Sequence, residues 1–319
     1  MTTTAPQSMI ARGGACSLRG PRPSQEDRHC VVDRGWDVSR HPALAAAPAD
    51  GTAGRPSCSF YAVFDGHGGP RASNCASKEL WKKYLQPALL SLEALDEAAL
   101  RDAMLAAFEQ TEQGVLRASS AGGDWDDGTT AVCALVLGST LVIGNLGDSR
   151  MVLCRRSGEA KRLTTDHKPE EEAERIVAAG GFLQVVGGVA RLEGDLSVSR
   201  AFGDREYKKA GGGSGALSAV PDVGVVDLVR ADAAFLLLAC DGVWDVYSDA
   251  EACDLVRTGL RQNEGDAEAA ASFLADCTVA DARCTDNVTV VVVVLERRDA
   301  PELPAEAAAA PEPEAGQPP

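Results

Sequence analysis

Residues 130–155 read TAVCALVLGSTLVIGNLGDSRMVLCR. Three apolar, β-branched runs, Thr130–Leu137, Thr140–Asn145 and Arg150–Arg155, are separated by Gly-Ser and Gly-Asp turn signals, and this spacing predicts an antiparallel meander. The same texture recurs along the chain. Ser59–Phe64 (SFYAVF) ends at Asp65, Phe235–Cys240 (FLLLAC) ends at Asp241, and the long run Asn287–Leu295 (NVTVVVVVL) follows Asp286 and reads as a central strand. Helical patterns lie between these runs. Residues 71–90 and 95–118 carry apolar positions at helical spacing, among them Leu100, Met104 and Phe108. Pro169–Ala179 has Pro at its start, Glu170 to Glu172 in its first turn and Gly180-Gly181 after it, as a helix end would. Ser248 and Glu251 form a capping-box match opening another helix. Paired helices alternating with antiparallel strands predict an α+β sandwich of sheets covered by helices.

The chain has 319 residues, 45% of them hydrophobic and 24% charged, which is enough apolar surface to repay chain entropy and excludes disorder of the whole. Its net charge of −16 argues against nucleic acid or an anionic membrane as partner and is compatible with binding cations. No apolar run is long enough to span a membrane, no secretory signal is present, and residue 2 is Thr, so the myristoylation pattern is absent. A cytoplasmic or nuclear monomer is the expectation. The ten cysteines show no C-x-x-C pair or zinc-like spacing, and read as reduced, structural thiols. Residues 1–11 are expected to be a disordered leader, 12–298 one folded domain, and 299–319, rich in Ala, Pro and Glu, an acidic solvated tail. Residues 40–57 and the glycine-rich 208–220 read as an exposed and a flexible loop.

The aspartates carry most of the information. Asp65, Asp148, Asp241 and Asp286 each border a strongly apolar, strand-like run. Any one Asp-Gly pair taken alone reads better as a turn. Four carboxylates held beside core strands are costly without compensation, and nearby Lys and Arg are too few to pair them all. With four histidines and no thiolate pattern, an all-oxygen site suited to Mg²⁺ or Mn²⁺ is the natural compensation. Arg22, just before Glu26 and Asp27, could grip a phosphate with its guanidinium fork. His67, flanked by glycines, could donate a proton to a leaving group.

Nine segments carry a family signature in order: RPSQEDRH (22–29), YAVFDGHGG (61–69), DDGTTAV (126–132), GNLGDSR (144–150), LTTDHKP (163–169), GDLSVSRAFGD (194–204), PDV (221–223), LACDGVWD (238–245) and TDNVTVVVV (285–293). Over about residues 12–297 the chain resembles the metal-dependent Ser/Thr protein phosphatases, the PPM or type-2C family. The resemblance implies a central β-sandwich of two antiparallel sheets flanked by pairs of antiparallel helices. It further implies that Asp65 bridges two metal ions, with the Gly66 carbonyl as a further ligand. Asp241 and Asp286 would complete the first ion's shell, and Glu26 would act on the second through water with Asp27 beside it. Asp148 and Asp241 match a third, weaker site near Thr130. Arg22 would bind the substrate phosphate, His67 would act as general acid, and Asn287 would support the metal-site loop.

The implied activity is hydrolysis of phosphoserine and phosphothreonine in phosphoprotein substrates, by direct attack of a hydroxide bridging the two ions. The alternative is a catalytically silent phosphoprotein-binding scaffold, which the complete ligand set disfavours. A metal-dependent nuclease is disfavoured by the acidic charge. Residues 208–220 fall where the family carries its variable flap beside the active site, and no tryptophan lies there.

Overall fold

Alternation decides which way each strand faces, and it separates the chain into layers. The structure is a computed structural model that describes residues 8–36, 58–209 and 212–298. One sheet contains β1 (Ser8–Leu18), β8 (Arg150–Arg155), β9 (Ala160–Arg162), β14 (Ala233–Ala239) and β15 (Val288–Arg298), in the order β1-β15-β14-β8-β9. The other contains β2 (Arg28–Trp36), β3 (Cys58–Phe64), β6 (Ala131–Leu137), β7 (Thr140–Leu146) and β13 (Asp222–Asp227), in the order β13-β7-β6-β3-β2. All of these pairings are antiparallel.

Side chains of both sheets meet in the middle: Tyr61, Val63, Val132 and Ala134 from one, Met151, Leu153, Leu236 and Val291 from the other. The outer faces are covered by helices. Phe60, Ala62 and Phe64 pack against α1 (Arg71–Glu79) and α3 (Glu97–Ala121), with Met104 and Phe108 reaching down from α3. A π-helical turn, Leu80–Leu85, joins α1 to α2 (Gln86–Ser91). On the far side Val288, Val290 and Val292 face α6 (Asp249–Gln262) and α7 (Ala267–Ala280). Strand β15 reads as an unbroken valine run because it is buried on both faces, and each such side chain contributes roughly 1.5–3 kcal/mol. The predicted sandwich of two antiparallel sheets between helix pairs is what forms, and the Ser248–Glu251 capping box opens α6.

The meander of residues 130–155 is corrected. Strands β6 and β7 form a hairpin, but β8 does not continue it: β8 pairs with β14 and β9 in the opposite sheet. Gly147, at φ +97°, turns the chain across the sandwich, and a Cβ there would strike Thr130. The crossing lets Met151 and Leu153 complete the inter-sheet core while Val152 and Cys154 face the α6/α7 layer.

The leader boundary is also corrected. Residues 8–11 belong to β1, where Met9 and Ala11 are buried and pair along the end of β15. The helix expected from Pro169 is only α4 (Ala173–Ala178), because the Glu172 carboxylate accepts from Arg175, Ser199 and Arg200 instead of capping an earlier turn. In the expected flexible loop, Ala216 and Leu217 are buried with Ile176, Leu192 and Tyr207 in a satellite core. The rest of the expected leader (1–7), the expected loop (40–57) and the tail (299–319) lie outside the described residues. Among the described residues no helix is long and apolar enough to cross a membrane.

Candidate active site

Acids borne by five separate segments converge on one cleft of about 590 Å³ at an end of the sandwich. Glu26 precedes β2, Asp65 follows β3, Asp148 sits in the turn that crosses between sheets, Asp241 opens the short α5 (Asp241–Trp244) after β14, and Asp286 precedes β15. Arg22 and His67 line the same cleft. Ligand oxygens of Asp65, Asp148 and Asp241 lie within 4.8 Å of one another. Burial first, and then the charges of Asp241, Asp27, Asp148 and Asp286, push the Asp65 carboxyl well above the usual carboxylate range. Asp241 is pushed the same way by burial and by Asp148, Asp286 and Asp245.

The remaining acids are held individually. Glu26 Oε2 accepts from the Gly69 amide at 3.1 Å and Oε1 from Ser24 Oγ at 2.8 Å. Asp286 Oδ2 accepts from Arg22 Nη2 at 2.6 Å, and Arg22 Nε donates to the Thr285 carbonyl at 3.1 Å. The guanidinium stays half exposed at the mouth. Asp27 is buried: its Oδ2 accepts from Thr289 Oγ1 at 2.7 Å, while Oδ1 has no hydrogen-bond partner among the described residues. Burial raises its carboxyl to about 6.

Two residues fasten the acids to each other. Asn287 Oδ1 accepts from the Glu26 amide at 2.9 Å, and its Nδ2 donates to the Arg19 and Ser24 carbonyls at 2.7 and 2.9 Å. One side chain thereby ties the 19–26 segment to the start of β15. Thr130 Oγ1 meets Ser149 Oγ at 2.7 Å and accepts from the Asp65 amide at 3.2 Å, joining the end of β3 to the crossing turn.

His67 and Gly66 form the two-residue strand β4, paired with β5 (Gly128–Thr129), which in turn pairs with β12 (Phe202–Gly203). This small sheet brings His67 Nε2 to 2.9 Å from both carboxylate oxygens of Asp204. Burial lowers the imidazole pKa, but the charge and hydrogen bond of Asp204 outweigh it and the net shift is upward. Gly128 is required here, because a Cβ at that position would collide with both His67 and Asp204.

Every site residue singled out in the sequence therefore lies in or directly beneath this cleft. Three neighbours were not singled out. Asp204 ends the motif GDLSVSRAFGD, and Lys168 lies in LTTDHKP with its Nζ 2.5 Å from Asp148 Oδ2. Asp245 bears on Asp241. The motifs marked these residues, but nothing in their spacing links 204 to 67 or 168 to 148. The expected flap position is corrected as well. The wall beside the acids is built from Arg191, Asp195–Val198, Asp204, Glu206 and Tyr207, and none of the described residues of 208–220 lines it, Ala216 and Leu217 being buried in the satellite core instead.

The donor set is all oxygen, carboxylates outnumber the cations that pair them, and the buried Asp27 Oδ1 is unmatched, so these residues fit hard divalent cations. The family model described as protein phosphatase 2C matches residues 14–288. The chain belongs to the protein phosphatase 2C family.

Relatives agree. Probable protein phosphatase 2C 67 of Oryza sativa subsp. japonica is 38% identical over 256 residues, covering 75% of this chain and 66% of that protein. The integrin-linked kinase-associated serine/threonine phosphatase 2C of Homo sapiens is 33% identical, covering 88% of this chain and 72% of that protein. Among solved structures, a C. elegans sex determining protein superposes with a TM-score of 0.74 at 28% identity, covering 89% of this chain and 64% of that one. Serine-threonine phosphatase 2C from Toxoplasma gondii shares the fold, with a TM-score of 0.70 at 23% identity over 92% of this chain and 96% of that one. Within this protein phosphatase 2C fold, the acids, Arg22 and His67 all stand at one end of the sandwich.

Proposed function

We propose that this protein phosphatase 2C member is an active, divalent-cation-dependent protein serine/threonine phosphatase whose substrates are phosphoproteins. One observation carries the reading: Glu26, Asp65, Asp148, Asp241 and Asp286 share a single cleft with Arg22 and His67. Asp65 and the Gly66 carbonyl, with Asp241 and Asp286, would hold one Mg²⁺ or Mn²⁺. Asp65 would be shared with a second ion near Glu26 and Asp27, and Asp148 with Asp241 would offer a third, weaker place. Bound cations supply Lewis acidity towards phosphoryl oxygens and lower the pKa of water.

The chain's own groups do the rest. Arg22 offers fixed positive charge to the substrate phosphate from its anchorage on Asp286. His67 holds one proton at Nε2 against Asp204, which leaves Nδ1 to hand a proton to the departing seryl or threonyl oxygen. Asp204 favours the charged imidazole that this task needs. Asn287 and Thr130 keep the acids in register.

The test is turnover of a phosphothreonine peptide with and without Mn²⁺. Wild type should require the ion, and Asp65→Asn or Asp241→Asn should abolish turnover while the circular dichroism stays native. Near-wild-type rates in either variant would overturn the reading. Tight phosphopeptide binding without any Mn²⁺-dependent turnover would replace it with a scaffold.

A further inference from the structure

Glu26, Asp65, Asp148, Asp241 and Asp286 line the cleft with Asp245 beside Asp241, and among the described residues a lysine or arginine of the chain pairs with two of them. Arg22 pairs with Asp286, and Lys168 pairs with Asp148. The second pairing is the more enclosed: Asp148 is 2% exposed, and Lys168 Nζ sits 2.5 Å from its Oδ2.

This contact is built into the fold. Three consecutive residues clamp the crossing turn. Asp166 accepts from Arg150 Nε and Nη2 at 3.0 and 2.6 Å. His167 exchanges bonds with Gly147, donating its amide to the Gly147 carbonyl and accepting the Gly147 amide at Nδ1, each at 3.0 Å. Lys168 then falls directly onto Asp148. Arg150 is fixed in turn by Asp249 at 2.6 Å and lies over the Trp244 ring. The ammonium is thus delivered to one carboxylate, and its field also reaches Asp241 and Asp245.

We propose that Lys168 is a resident counter-cation which a metal ion must displace in order to use Asp148 as a ligand, and that it sets the affinity of that end of the site. The proposal rests on the divalent-cation reading given above. The physical argument is competition. Asp148 Oδ2 cannot give its full lone-pair density to an ammonium and to a divalent ion together, and an ion placed among Asp65, Asp148 and Asp241 would stand beside a fixed positive charge. The Asp65 and Asp286 end, where the nearer chain cation is a half-exposed arginine, carries no such enclosed competitor.

The experiment is Mn²⁺ binding by calorimetry and by the electron paramagnetic resonance signal of free Mn²⁺, which require no turnover. Wild type, Lys168→Met, Lys168→Gln and Lys168→Arg are compared, each with and without Asp148→Asn. In wild type the weakest binding step should lie well above the others. Removing the ammonium in Lys168→Met and Lys168→Gln should tighten that step about tenfold or more, change the tighter steps less than about threefold, and raise the Tm measured in Mn²⁺. Lys168→Arg should keep the weak step weak, and Asp148→Asn should delete it in every background. Unchanged binding steps in both neutral variants would overturn the proposal while leaving the metal reading intact, and so would a weak step that survives Asp148→Asn. A wild-type protein that binds no Mn²⁺ would overturn both.

Discussion

His67 Nε2 stands 2.9 Å from each carboxylate oxygen of Asp204, a residue 137 positions away that sits at φ +48° with its side chain almost wholly buried. A non-glycine residue in the left-handed region is held there by its surroundings, and the Asp204 amide is bonded to the Asp127 carbonyl at 3.1 Å. A general acid matters most when the leaving group is a poor one. Asp204→Asn should therefore lower kcat on a phosphoserine peptide about a hundredfold and on an aryl phosphate, whose phenolate leaves unaided, only a few-fold. Gly128→Ala, which drives a methyl into the same pair, should show the same selectivity for leaving group. Equal losses on both substrates would remove the proton-donor role.

The carboxylates of Asp65, Asp148 and Asp241 repel one another in the metal-free protein. Replacing Asp241 by Asn removes one charge from that cluster. The metal-free variant should be more stable than metal-free wild type by roughly 1–3 kcal/mol, while its gain in Tm on adding Mn²⁺ should nearly vanish. Differential scanning calorimetry with and without chelator reads both quantities. A variant less stable than wild type in chelator would contradict the repulsion.

Asn287 uses three hydrogen bonds to hold the 19–26 segment against the start of β15. Asn287→Ala leaves the Glu26 amide and two carbonyls without these partners. A loss of about 1–3 kcal/mol in urea unfolding is expected, together with weaker Mn²⁺ binding, because Glu26 is no longer fixed. Wild-type Mn²⁺ affinity in this variant would show that Asn287 bears only on stability.

Glu172 ties α4 to the segment leading into the small sheet, through Arg175, Ser199 and Arg200. Burial alone would raise its carboxyl, but those bonds prevail and hold it at about 2, against 4.5 for a free glutamate. A folded pKa below the unfolded one gives stabilisation that is complete above about pH 5 and drains away as pH falls from about 4.5 towards 2. Glu172→Gln should thus be less stable than wild type by roughly 2–3 kcal/mol at pH 6, and the gap should shrink by about half or more by pH 3. A gap independent of pH would dismiss the ionised carboxylate as its source.

Much of this arrangement could be read from the chain, for physical reasons that differ by element. Strands β3, β14 and β15 were legible because each is a dense apolar run stopped by an acid, and Asp65, Asp241 and Asp286 were legible for the same reason. The crossing between β7 and β8 was not. A Gly-Asp turn looks the same whether the next strand folds back beside its predecessor or passes to the facing sheet, and the partner that decides it, β14, lies some 80 residues on. Helix α4 started later than its Pro and acids suggested because Glu172 is committed to Ser199 and Arg200, which are remote in sequence. His67–Asp204 and Lys168–Asp148 escaped for the same reason: side-chain pairs made by tertiary folding leave no periodic trace.

The division of acids between the two sheets has a mechanical consequence. Glu26 and Asp65 ride on one sheet, Asp241 and Asp286 on the other, and Asp148 on the turn that carries β7 into β8 of the opposite layer. An ion gripped by both groups would act as a clasp across the seam, so emptying the site should let the two halves breathe. Amide hydrogen exchange along β3 and β14 should quicken in chelator, most at the ends nearest Asp65 and Asp241, and the helices on the outer faces should scarcely register the change.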